Sequence, residues 1–288
     1  MDGFLAVDKP AGMTSHDVVD AVRRRLRTKK VGHGGTLDPG ATGVLLLGVG
    51  KATKLLRYAQ ATPKRYRAVA RFGTTTTTQD SSGEVVEQRP TSITSDDVSI
   101  ALKDFLGDID QVPPMVSAVK VGGERLYRKA LRGEEVERAP RRVTVYSFDL
   151  LDFVEEGPTG APEATVGVLC SAGTYVRTLV HDVGAALGCG AHLISLRRTA
   201  AGGWDEDDAV ALESVGPGDL RPLSDAVRDL PPVEVDDDGA AMVANGRPLE
   251  ADIDVAEGGL VTVLHRGDLL GVYRRRGRNL VADRVVPR

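Results

Sequence analysis

Apolar residues in this chain gather in strand-length runs set off by glycine and proline, and take helical spacing in only a few places. The run Val44-Leu45-Leu46-Leu47, ended by Gly48, reads as a buried strand. Residues 66–72 alternate as a half-buried strand, with Arg67 and Arg71 on its outer face. Similar runs predict strands over 4–7, 143–151, 165–169 and 192–197. Thr14 and Ser15 would cap a helix whose apolar side carries Val18, Val19, Val22 and Leu26. A second helix is predicted from near Arg177 through Val180, Val183 and Leu187, and a short one over 51–59. These elements make a mixed α/β body over residues 1–230. Within it, 113–142 reads as an excursion from the sheet, with a Gly122-Gly123 hairpin and a basic helix over 125–132. After Pro231-Pro232 the pattern changes to short alternating strands over 260–264 and 269–273, a small β domain over 231–288.

One stretch fits no regular element: Gly32-His33-Gly34-Gly35-Thr36-Leu37-Asp38-Pro39-Gly40-Ala41-Thr42-Gly43. Glycine inside a helix or strand costs about 0.5–1 kcal/mol relative to alanine, and Pro39 cannot donate to a ladder. The segment is therefore an ordered turn that presents Asp38 at the mouth of the buried 44–47 strand, a common place for catalytic groups. Asp before Pro is also ordinary turn chemistry, so Asp38 taken alone decides nothing.

The whole block is similar to the signature of the TruB family, the pseudouridine synthases that act on the T-loop of transfer RNA. That signature runs Gly-His-x-Gly-x-Leu-Asp-Pro-x-Ala-x-Gly, matched here by Gly32, His33, Gly35, Leu37, Asp38, Pro39, Ala41 and Gly43. Further blocks follow in the family's order. They are Val7-Asp8-Lys9-Pro10-Ala11-Gly12-Met13-Thr14-Ser15, Lys64-Arg65-Tyr66, a Thr78, Asp80, Gly83 turn, Ser171 to Leu179, Leu187 to Leu193, and Leu196-Arg197-Arg198-Thr199. The resemblance implies an α+β pseudouridine synthase fold, with a mixed, largely antiparallel central sheet flanked by helices. It also implies a mobile thumb at 113–142 that closes over an RNA hairpin, and a C-terminal β-barrel PUA-like RNA-binding domain in which Asn245-Gly246 is similar to an early turn.

The resemblance further assigns roles. Asp38 is the nucleophile, Tyr66 stacks on uracil, Arg177 orients Asp38, and His33 fills the space that the flipped base vacates. Asp80 clamps the flipped nucleotide, Leu196 walls the pocket, and Tyr175 joins the substrate-binding set. The residues speak for themselves in part. An arginine among apolar neighbours needs a carboxylate partner, and a pairing with Asp38 would hold that group ionised. Lys64, Arg65 and Arg67 place Tyr66 at the rim of a basic cleft, suited to stacking on an unstacked base. Arg23, Arg24, Arg25, Arg27, Lys29 and Lys30, with no acid from 21 to 30, make a phosphate-contacting face that leads into the Asp38 loop. The expected reaction converts a flipped T-loop uridine, conventionally position 55, to pseudouridine. Three routes stay open: attack of Asp38 at the sugar, attack at the base ring, or stabilisation of a glycal.

The chain has 288 residues and a formal net charge of −4, at first sight unsuited to RNA. The acids are segregated, however: 205–238 holds twelve against Arg221 and Arg228, whereas 120–142 holds eight basic residues against four acidic. No cofactor is expected for an isomerisation. Cys170, His181, Cys189 and His192 lack the knuckle spacing of structural zinc, and Gly48-Val49-Gly50-Lys51-Ala52-Thr53 fails the Walker pattern. Without a leader or a membrane-length apolar run, the expectation is a cytoplasmic monomer that acts on tRNA without an obligatory protein partner. The alternatives are a guide-dependent enzyme of the box H/ACA type and a non-enzymatic RNA chaperone that uses the same cleft.

Overall fold

The computed structural model describes residues 1–117, 119–130, 132–134, 136–250 and 253–286. In chain order, β1 (Gly3–Lys9) leads to α1 (Ser15–Arg25), and a short β2 (Val31–His33) precedes β3 (Thr42–Val49). A 3-10 turn over Gly50–Lys54 and α2 (Leu56–Ala61) then feed β4 (Lys64–Phe72). The hairpin β5 (Thr74–Thr76) and β6 (Val85–Gln88) is followed by α3 (Ser95–Lys103) and β7 (Gly107–Gln111). The excursion carries β8 (Lys120–Val121), β9 (Glu124–Arg125) and α4 (Leu126–Ala130). Next come β10 (Arg141–Val154), β11 (Glu163–Cys170), α5 (Val176–Ala186), β12 (Ala191–Ala201), β13 (Trp204–Asp205) and β14 (Val210–Ala211).

The large sheet runs β14-β1-β3-β12-β4-β11-β10-β7, with β2 added to β3 and β13 to β12. Its pairings are antiparallel except at β1/β14 and β3/β12, so the sheet is mixed and largely antiparallel, as the expected fold requires. Both faces of β1 and β3 are buried, which explains why 44–47 reads as an unbroken apolar run. Leu5, Val7, Leu45 and Leu47 pack under α1 with Val18, Val19 and Val22. On the opposite face, Phe4, Ala6, Val44 and Leu46 meet Trp204 together with Leu269 and Val272 of the C-terminal sheet. A second body core lies under α3 and α5, built from Phe72, Phe148, Val166, Leu179 and Val183.

The C-terminal sheet comprises β15 (Pro232–Glu234), β16 (Leu249–Glu250), β17 (Leu260–His265), β18 (Asp268–Arg276) and β19 (Asn279–Val285), in the order β15-β17-β18-β19-β16. Between its first two strands lies α6 (Asp237–Ala244), which sequence patterning did not give. Asn245-Gly246 forms the expected turn, and it is the one that ends α6, with Gly246 at φ 67°.

Two expectations need correction. The helix expected over 51–59 is divided at Leu55 into the 3-10 turn and α2, because the Leu55 and Tyr58 N–H groups bond three residues back, to the Ala52 and Leu55 carbonyls. The basic helix expected over 125–132 is described over Leu126–Ala130, and Arg132 already lies in a turn, where Gly133, at φ 73°, bonds back to the Ala130 carbonyl. Residues 118, 131 and 135 of the excursion lie outside the described residues. Among the described residues no helix is long and apolar enough to cross a membrane.

Candidate active site

The glycine-rich loop between β2 and β3 is fixed through its own carbonyls, which a turn of this kind cannot satisfy by regular structure. Arg198, only 1% exposed on β12, reaches the Gly35 carbonyl at 3.4 Å, the Thr36 carbonyl at 3.5 Å and the Val44 carbonyl at 2.7 Å. The Ser15 hydroxyl donates to the Leu37 carbonyl at 3.1 Å and accepts from the Leu37 N–H at 2.8 Å. Ala41 N–H closes on the Asp38 carbonyl at 3.0 Å. The Pro39 carbonyl takes bonds from Gly12 N–H at 2.8 Å and from the Lys9 ammonium at 3.2 Å. Lys9 is fully buried and also donates to the Pro10 and Met13 carbonyls, and burial pulls its pKa down to about 8. Every carbonyl from Gly35 to Pro39 is thus bonded. Lys9, Ser15 and Arg198 stood inside recognisable blocks, but nothing in hydropathy or spacing says that they converge here.

Arg177 opens α5 directly beneath this loop. Its side chain is 4% exposed, against 42% for Asp38, so the carboxylate is reached from outside and the guanidinium is not. Arg177 pairs with Asp38 at 3.1 Å and with Asp80 at 3.2 Å, and donates to the Thr78 and Val116 carbonyls at 3.1 and 2.9 Å. The expected pairing is present, but one guanidinium serves two carboxylates. Protein walls around Asp38 push its carboxyl above the ordinary value, and Arg177 and Lys9 only partly oppose this while Asp80 adds to it. Arg177 thus favours the ionised form of Asp38, as expected of the pair, while burial works against it. Burial would raise the Asp80 carboxyl too, but hydrogen bonds from Ser82 and Thr78, with the Arg177 charge, bring it below the usual range. Asp80 is therefore engaged inside the protein, anchoring Arg177 and its own turn.

A cavity of about 230 Å³ opens on one side of the ion pair, lined by Asp38, Gln60, Tyr66, Tyr175, Arg177 and Leu196 among others. A second of about 180 Å³ opens on the other side, bounded by Asp38, Asp80, Ser82, Arg177 and Leu196. Tyr66 faces the first from β4 and packs against both body cores, and burial raises its phenol pKa. Tyr175 precedes α5; its N–H donates to the buried Gln111 side chain at 2.8 Å, and its carbonyl accepts from the same amide at 3.0 Å.

Lys64 also lines the first cavity, but its ammonium is turned inward onto the Gln60 and Thr62 carbonyls, both at 2.5 Å, and burial lowers its pKa to about 8. His33 lies on β2 outside the lining of both cavities, and its carbonyl accepts from Gln60. Arg23 is half-buried on Asp20 and the Val31 carbonyl, whereas Arg24, Arg25 and Arg27 are exposed. The basic end of α1 is about 15 Å along the helix from Ser15, given a rise of about 1.5 Å per residue. In the C-terminal sheet, Arg274 and Arg275 are spent on Asp283 and on loop carbonyls, leaving Arg276 and Arg278 exposed.

A buried arginine thus lies under an accessible carboxylate, beside an aromatic ring and between two cavities. Comparison with known proteins supplies the family. The pattern described as TruB family pseudouridylate synthase (N terminal domain) matches residues 23–176, and that described as tRNA pseudouridylate synthase B C-terminal domain matches 177–218. The chain is 52% identical to tRNA pseudouridine synthase B of Symbiobacterium thermophilum, over 85% of this chain and 82% of that protein. It is 44% identical to the protein of the same name from Cupriavidus pinatubonensis, over 99% and 94%. The solved structure described as a Cbf5-Nop10-Gar1 complex superposes with a TM-score of 0.75 at 27% identity, covering 99% of this chain and 85% of that one. This chain belongs to the TruB family of pseudouridylate synthases.

Proposed function

We propose that the chain isomerises the T-loop uridine of tRNA, position 55, to pseudouridine, with Asp38 as the reacting carboxylate. The observation that carries this is the half-exposed Asp38 held at 3.1 Å over the buried Arg177, at the junction of the two cavities. A uridine stacked in a folded loop cannot reach that point, so it enters flipped, its base against Tyr66 and Leu196. The C1′–N1 bond then breaks, the uracil turns, and C1′–C5 forms as C5 gives up its proton to solvent and the freed N1 takes one up, so the net change is an isomerisation. Arg177 keeps the Asp38 oxygen aimed, and Asp80 keeps Arg177 in place. Attack at the sugar, attack at the ring and passage through a glycal all fit one carboxylate at this position. The five-stranded sheet from Pro232 onward serves as the RNA-binding PUA-like domain, and the 113–142 excursion as the thumb.

The test uses a bare T-arm stem-loop labelled with tritium at uridine C5. The purified chain alone is expected to release label, and Asp38→Asn to lower release by about 10⁴-fold or more, the scale of losing a nucleophile. Tight binding without release by the wild type would instead support the chaperone or the guide-dependent reading.

A further inference from the structure

We propose that Gln60 contacts the RNA at the rim of the uridine cavity, and that Asp283 of the C-terminal sheet acts as its positioning residue. The inference rests on the functional reading above and adds to it a residue pair that carries no role there.

Gln60, in the last turn of α2, lines the cavity that holds Asp38 and Tyr66, yet stays exposed. Its amide nitrogen donates to the His33 carbonyl at 3.3 Å, which turns the group toward the glycine-rich loop. Among the described residues its amide oxygen accepts no bond, so a polar acceptor stands at the mouth where the sugar and phosphate of a flipped nucleotide must pass. A ribose hydroxyl is the donor that this acceptor suits.

A helix of six residues cannot hold its own place. At its C-terminal end the Lys64 ammonium gathers the Ala59, Gln60 and Thr62 carbonyls. Leu56, Tyr58 and Ala59 pack it into the core with Trp204 and Val227, and a polar link joins its middle to β19. The buried Tyr58 hydroxyl donates to Asp283 at 2.5 Å, and Arg57 pairs with the same carboxylate and with the Asp283 carbonyl. Arg274 holds the other carboxylate oxygen at 3.1 Å. Asp283 is thus clamped by its own sheet and passes that position to α2. The C-terminal sheet thereby takes part in setting the rim of the cavity, beside the core packing of α2 and the Lys64 bonds.

The experiment is steady-state tritium release from the T-arm stem-loop by the full chain, its Gln60→Ala and Tyr58→Phe variants, the double variant, and Asp283→Ala. Gln60→Ala is expected to raise KM about 3- to 10-fold at nearly constant kcat, the effect of one lost hydrogen bond. Tyr58→Phe and Asp283→Ala should move KM in the same direction, and Tyr58→Phe should add nothing in the Gln60→Ala background. An unchanged KM in Gln60→Ala, independent addition of the two changes, or a fall in kcat alone that tracks the folded fraction would overturn the proposal. Absence of release by the wild type would take down the functional reading itself, a separate result.

Discussion

The burial of Asp38 that the proposed reaction uses comes at the expense of stability. Its carboxyl is raised, first by burial, so folding binds its proton more tightly than the unfolded chain does. The sign follows from linkage: that contribution to stability is full below the unfolded pKa and is lost as pH rises through the folded one. At neutral pH the ionised Asp38 therefore opposes folding. Asp38→Asn should abolish turnover yet raise the melting temperature at pH 7, and the gain should shrink toward acid pH. Arg177 keeps Asp80 and two carbonyls in that variant, so no charge is orphaned. If ionised Asp38 is the reacting form, the acid limb of kcat/KM should fall at a higher pH than an ordinary carboxylate would give. A melting temperature that drops in Asp38→Asn would show that the ion pair, and not burial, dominates.

At the scale of elements, the strands over 44–47 and 66–72 were legible because their burial is local and periodic: both faces for the first, alternate residues for the second. The end of the strand that carries Arg198 was legible only as a motif, since what Arg198 does depends on β12 lying parallel to β3. Lys64 misled for the same reason: a lysine among arginines reads as surface, and only the fold turns it inward. The capping box of Thr14 and Asp17 appears again at Thr94 and Asp97, where it signals α3, an element that weak amphipathicity kept from view. The β3/β12 contact also explains Gly43. It sits at φ 98°, and a Cβ there would lie 2.2 Å from the Arg198 carbonyl oxygen and 2.9 Å from its nitrogen. Both obstacles are backbone, so Gly43→Ala should destabilise by about 2 kcal/mol or more and displace the loop. Urea unfolding of this variant within 0.5 kcal/mol of wild type, on the same rough scale, would mean that β12 yields where the packing says it cannot.

For the whole molecule, the net charge of −4 hides how the acids are used. In the acidic 205–238 stretch, Glu206 pairs with Arg197 and Asp208 with Arg228, Asp236 caps α6, and Asp237 binds His265 and Arg266. The first two pairs lie within the body and the others within the C-terminal part, so these carboxylates are used internally in each. The cations of α1 and the outer face of β4 are differently placed: Arg24, Arg25, Arg27, Arg65 and Arg67 are exposed and have no acid neighbour in sequence. An acidic protein can therefore present a basic face to RNA, and the binding should weaken with salt. Each phosphate neutralised contributes roughly −0.7 to −0.9 to the slope of log affinity against log salt. If Arg24 and Arg27 each meet a phosphate, the double alanine variant should lower that slope by about 1.5, weaken T-arm binding at low salt, and leave kcat unchanged, because both lie roughly a helix length from Asp38. Fluorescence anisotropy across a salt series reads this directly. A slope equal to wild type would move the RNA path off α1 and onto the arginines of β4, which the same titration of Arg65→Ala with Arg67→Ala would then reveal.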